Sequence, residues 1–138
     1  MLRLNRILDP RGTKIAYLLL SMISNVAWAL SFFSLVDSLV LRYGDRMTGV
    51  DTTLMLGIFL GSLTIGYIVA WIAKDRRGLT YGIYGGLAGL IVIFLMTWKS
   101  GLLAVLVGLM AVFGGYNGGS LGEMMRMVRE RNEKRNNK

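Results

Sequence analysis

Two side chains in this 138-residue sequence invite a chemical reading, the carboxylate Asp37 and the amide Asn117, because each stands in or beside a long apolar stretch. A carboxylate at membrane depth is by default a proton or cation site, and an amide there needs hydrogen-bond partners that lipid does not supply. Around Asp37, the residues Ser21, Ser24, Asn25, Ser31, Ser34 and Ser38 recur at three- and four-residue offsets, with Trp28 in the gap. On a helix they form one polar stripe, expected to face protein rather than lipid. Such a stripe either hydrogen-bonds to a neighbouring helix or walls a hydrated pathway. With no embedded charge beside it, the first reading is preferred. Counting from Ile15 places Asp37 at a membrane interface, where Arg42, Arg46 or Lys99 is its expected partner. Asp37 and Asn117 are thus the candidate pathway residues.

The rest of the inventory removes whole classes of chemistry. The chain has no cysteine and no histidine, which excludes disulfide frameworks, thiolate chemistry, His-ligated haem and His-based zinc sites. Neither Asp37 nor Glu123, which has Arg126 three residues on as its expected helical partner, has a second carboxylate close by in sequence. A nucleophilic or metal-assisted enzyme has little to build on, so no enzyme activity and no cofactor is expected.

These residues must be positioned by membrane helices. The composition is 54% hydrophobic and only 17% charged, and charges are missing altogether from residues 15–36, 54–73, 79–98 and 100–122. A helix needs about 20 apolar residues to cross a hydrocarbon layer of about 30 Å, and each stretch meets that length. A soluble bundle of this size would keep a water-facing polar stripe on every helix, and stretches 54–73 and 100–122, with no Asp, Glu, Lys or Arg, make that reading a poor one. The small-residue sequence Ala27-Trp28-Ala29 imitates a signal-peptide cleavage site, but the apolar run continues through Val36, so the first span is expected to be retained. The fold class is therefore all-α, a polytopic integral membrane protein in one membrane domain, 1–138. Its spans are expected at about 15–41, 54–73, 79–98 and 101–122 in an antiparallel bundle, after an N-terminal segment, 1–14, and before a short basic cytoplasmic C-terminal helix, 123–138.

Charge sets the expected orientation. Thirteen of the sixteen basic residues fall in the N-terminal segment, the second loop or the tail, which four spans place on one side. The positive-inside rule then puts both termini in the cytoplasm, with the cell membrane as the expected location. Asp9-Pro10 is expected to start a helix after a basic amphipathic segment, Asp51 and Ser100 to cap the second and fourth spans, and Gly78 to end the turn after the second. The connections 74–78 and 99–100 are so short that spans 2, 3 and 4 are expected as successive antiparallel neighbours.

Glycine is the densest signal. Gly57 and Gly61 in the second span, Gly82, Gly85, Gly86 and Gly89 in the third, and Gly114, Gly115, Gly118, Gly119 and Gly122 in the fourth are the expected helix-packing residues. Small residues let backbones approach where lipid offers little hydrophobic drive. The competing reading of residues 114–119, Gly-Gly-Tyr-Asn-Gly-Gly, is a locally opened helix whose free carbonyls line a site, with Tyr81, Tyr84 or Ser120 serving the Asn117 amide. In the tail, Arg126, Arg129, Arg131, Lys134 and Arg135 are the expected lipid- or partner-docking residues beside an adaptable methionine surface. Aromatic residues are absent from the tail and acids interrupt its basic run, so nucleic acid is not an expected partner.

The expected function is a non-catalytic structural or accessory subunit of a larger membrane protein complex, with membrane lipids and other integral membrane subunits as partners. The alternatives are a small homo-oligomeric channel or transporter and, less favoured, a holin-like pore former.

Overall fold

The computed structural model describes residues 13–44 and 49–136. Among them the chain forms four long helices, α1 (Ile15–Tyr43), α2 (Val50–Ala73), α3 (Gly78–Met96) and α4 (Leu102–Asn136), with a 3-10 turn at Trp98–Ser100 before α4. All four are long and apolar enough to cross a membrane, which makes the chain a multi-pass membrane protein by length and composition.

Positive backbone angles mark several of the helix boundaries. Gly44, Gly49 and Gly101 lie at φ +52°, +79° and +54°, where only a residue without a β-carbon is unstrained. Several expected boundaries shift as a result. The second helix begins at Val50, with Gly49 as its N-cap, so Asp51 falls inside the first turn. There its charge favours the helix dipole without capping it. Ser100 closes the 3-10 turn, and Gly101 redirects the chain before α4 begins. Gly78 opens α3, and the turn after α2 is made instead by Lys74 at φ +52°. Asp9, Pro10 and the N-terminal amphipathic segment lie outside the described residues.

The fourth helix is continuous through residues 114–119, so no opened segment interrupts it. Its paired glycines serve two neighbours at once. A β-carbon on Gly114 or Gly118 would strike the backbone carbonyl of Phe59 or Leu63, and one on Gly122 would meet that of Tyr67, all on α2. Gly115 and Gly119 instead lie against the carbonyls of Gly82 and Gly78 on α3. Adjacent helical residues point about 100° apart, so each Gly-Gly pair turns one member to each neighbour.

Those contacts also give the order of the helices. Along α4 and α3 residue numbers run oppositely, Gly119, Gly115 and Ala111 meeting Gly78, Gly82 and Gly86, whereas along α4 and α2 they rise together. The fourth helix therefore packs on α2 as well as on its hairpin partner α3, and α1 covers the same two helices. The short loops favour α2 beside α3 and α3 beside α4, but the second glycine face adds an extensive α2 contact that loop length does not reveal.

Apolar packing flanks this seam. Near one end Ala29, Phe33, Val36, Leu54, Ile58, Ile93, Val107 and Ala111 form a buried cluster, and near the other Val69, Ala73 and Tyr81 do so, with Tyr17 and Ile65 against them.

Candidate functional site

The last turn of α2 leaves its final carbonyls without partners inside the helix, and α4 extends past it in one unbroken piece. Polar side chains from α1, α3, α4 and the α2–α3 turn gather at this end. Lys14, just before α1, donates from Nζ to the Ala73 carbonyl at 3.1 Å, placing a cation on the negative end of α2. Arg126 of α4 donates from Nη1 to the Asp75 carbonyl at 2.6 Å in the α2–α3 turn. Its Nε stands 3.0 Å from Glu130 Oε1 as an ion pair, off the alignment of a hydrogen bond.

Tyr81 is the centre of this knot. Its ring is fully buried and edge-on to Tyr17. Its hydroxyl accepts from the Lys14 backbone N–H at 2.8 Å and donates to the Asp75 carboxylate. The other carboxylate oxygen accepts from the Arg77 backbone N–H at 3.2 Å. One turn inward, Ser21 Oγ donates to the Tyr81 carbonyl at 2.8 Å, and Asn25 Nδ2 donates to the Ser21 carbonyl at 2.9 Å. Gly85 leaves room for both α1 side chains, since a β-carbon there would strike Ser21 Oγ and crowd Asn25 Nδ2. The arrangement holds polar groups in fixed positions and joins the N-terminal side of α1, the α2–α3 turn and the start of the tail at one end of the bundle.

The expected site residues divide. Of the polar stripe, Ser21 and Asn25 are buried and Ser24 is half-buried, while Ser31, Ser34 and Ser38 are exposed. The buried face of α1 runs through Ser21, Asn25, Ala29, Phe33 and Val36, and at about 100° per residue the three outer serines fall on the far side. Ser38 donates to its own helix, at the Ser34 carbonyl, rather than to a neighbour. Gly82, Gly86, Gly114, Gly115, Gly118, Gly119 and Gly122 sit at backbone approaches, whereas Gly57 and Gly61 receive the rings of Phe32 and Trp28. Those rings stack at 5.5 Å, and the Trp28 indole donates to the Gly57 carbonyl at 3.2 Å. Gly89 has space for a methyl group, its nearest neighbour lying 3.5 Å from an added β-carbon.

Asp37 and Asn117 are not brought together. Both are exposed, and Asn117 Nδ2 donates to the Phe113 carbonyl of its own helix at 2.8 Å rather than to Tyr81, Tyr84 or Ser120. Arg42 forms no ion pair with Asp37, and Arg46 lies outside the described residues. Among the tail cations, Arg126 is buried in the knot and Arg129 pairs with Glu133, whereas Arg131, Lys134 and Arg135 are exposed. Arg126 takes Glu130 rather than Glu123, because the four-residue offset brings its Nε to the carboxylate.

Sequence reasoning passed over Asp75 and Lys14 and offered Tyr81 only as a partner of Asn117, whereas its hydroxyl bonds to Lys14 and Asp75. One signal was present, since Gly115, Gly119, Gly122 and Arg126 continue a single three- and four-residue spacing that carries Arg126 onto the packed face. No family model, curated protein or solved structure matches this chain.

Proposed function

We propose that this protein spans the membrane as an antiparallel helical bundle with both termini in the cytoplasm, and serves as a non-catalytic accessory subunit of a larger membrane complex. The single observation that carries this reading is the outward position of Asn117. Five residues before Gly122, the last uncharged position of the stretch, it sits about 7.5 Å inside the tail end of the span, in hydrocarbon, on the face turned away from the bundle. Its amide nitrogen is held by its own helix, but the amide oxygen still needs a donor that lipid lacks. A helix of another subunit would supply one, and the exposed Ser31, Ser34 and Ser38 present a comparable face on α1. The charge distribution along the sequence supports the orientation.

The test is the size of the native particle after gentle solubilisation. The protein is expected to migrate with another integral membrane subunit, and Asn117→Leu is expected to release it. A lone 15.3 kDa chain carrying only detergent would overturn the proposal. The same outward amide would equally suit a homo-oligomeric channel. Liposome flux from the purified protein, abolished by Asn117→Leu, would favour that second reading.

A further inference from the structure

Between the last turn of α2 and the tail of α4 lies an open groove of about 450 Å³. Trp71 and Ile72 line one part of it, and both are exposed, at 47% and 42%. Lys74, Arg126 and Arg129 bring positive charge to the same groove, and Glu130 and Glu133 bring negative charge. We infer that this groove binds a single monoanionic phospholipid, with the phosphate on Lys74 beside Arg129 and an acyl chain along Trp71 and Ile72. The inference rests on the reading that the bundle spans a membrane with this end at an interface.

Charge selects the occupant. Arg126 pairs with Glu130 and Arg129 with Glu133, at 3.0 and 2.9 Å, so four of the five charges cancel within α4. Lys74 is exposed and has no partner among the described residues. One uncompensated cation matches one phosphodiester. The ammonium of a zwitterionic headgroup gains no unpaired carboxylate here, since Glu130 and Glu133 are paired with Arg126 and Arg129.

Position and conformation support the same assignment. Lys74 directly follows α2 at the level where Arg126 grips the α2–α3 turn, which is the phosphate level if α2 spans the hydrocarbon. Trp71, one turn earlier, holds the interfacial place that indoles favour. A soluble phosphate would satisfy Lys74 but leave Trp71 and Ile72 uncovered, whereas a lipid covers both. Lys74 is also the one non-glycine residue at positive φ among the described residues, in a helix-ending conformation usually given to glycine. Lysine there is unfavourable for the backbone and places its ammonium at the groove.

The test uses the full-length chain reconstituted in phosphatidylcholine vesicles containing a minor fraction of phosphatidylglycerol, then extracted into mild detergent for native mass spectrometry. One phosphatidylglycerol is expected to remain bound in preference to phosphatidylcholine. Lys74→Gly relieves the backbone, so it is expected to weaken retention by about tenfold while thermal stability is unchanged or raised. Arg131→Ala, outside the groove, is expected to leave retention as it is. Equal retention of the two lipids, retention indifferent to Lys74→Gly, or displacement of the lipid by inorganic phosphate alone would overturn the site. Release of the chain from vesicles by alkaline carbonate would overturn the membrane reading beneath it, an outcome distinct from failure of the site.

Discussion

Arg126 and Asp75 meet across 51 residues of sequence, the guanidinium of one donating to the main-chain carbonyl of the other at 2.6 Å. The contact fixes where the tail leaves the bundle, because the same arginine is buried against the α2–α3 turn while the cations beyond it are exposed. Arg126→Ala removes the donor and leaves a carbonyl beside a helix end, an expected loss of about 1–3 kcal/mol. Arg131→Ala is expected to change stability by no more than about 0.5 kcal/mol. Unfolding in mixed detergent micelles, followed by circular dichroism, separates the two.

The Tyr81 hydroxyl joins segments that no backbone bond connects, accepting from Lys14 and donating to Asp75. Tyr81→Phe keeps the ring in place but strands the Lys14 amide and takes one of two donors from Asp75, with an expected cost of about 1–3 kcal/mol. Hydrogen exchange is expected to quicken at the start of α1, where the Lys14 amide loses its acceptor. Unchanged protection at Lys14 would contradict the assigned bond.

Glycine positions that look alike in sequence are expected to respond differently to alanine. An added β-carbon at Gly118 meets the Leu63 backbone carbonyl, which cannot rotate away, so Gly118→Ala is expected to cost about 1–3 kcal/mol by overpacking. At Gly89 the nearest atom would be 3.5 Å away, and Gly89→Ala is expected to be neutral or stabilising. Gly61→Ala falls between them, since the obstacle is the movable Trp28 ring. Parallel thermal denaturation of the three variants in one detergent reads the order directly.

Asn117 contributes only a bond to its own helix at Phe113, so Asn117→Leu is expected to leave the isolated chain within about 0.5 kcal/mol of wild type. If another subunit satisfies its amide, the same change is expected to dissociate the native particle on size exclusion. A large loss of stability in the isolated chain would place Asn117 inside the bundle and refute its outward position.

Much of the glycine surface was legible because small residues at helical spacing have one efficient use between membrane helices, and most of those in α3 and α4 do meet backbone there. The polar stripe was less legible. Offsets of three and four drift around a helix when they are not balanced, which carried Ser31, Ser34 and Ser38 away from Ser21 and Asn25. The knot at Tyr81 was not legible, because Lys14 and Tyr81 stand 67 residues apart and nothing local to either residue announces the other.

The sequence by itself determined that this chain has four apolar helices of membrane-spanning length, because solvation in hydrocarbon is decided residue by residue and twenty uncharged positions suffice to show it. It likewise determined that α4 carries glycines closely enough spaced to admit other backbones. Only the tertiary structure decided which helix each glycine meets, that Arg126 turns inward and Asn117 outward, and that Lys74 stands alone in a groove whose other charges are paired. Those outcomes depend on the rotation of each helix about its axis, which close packing against several neighbours selects and which the apolar lengths of the helices leave free.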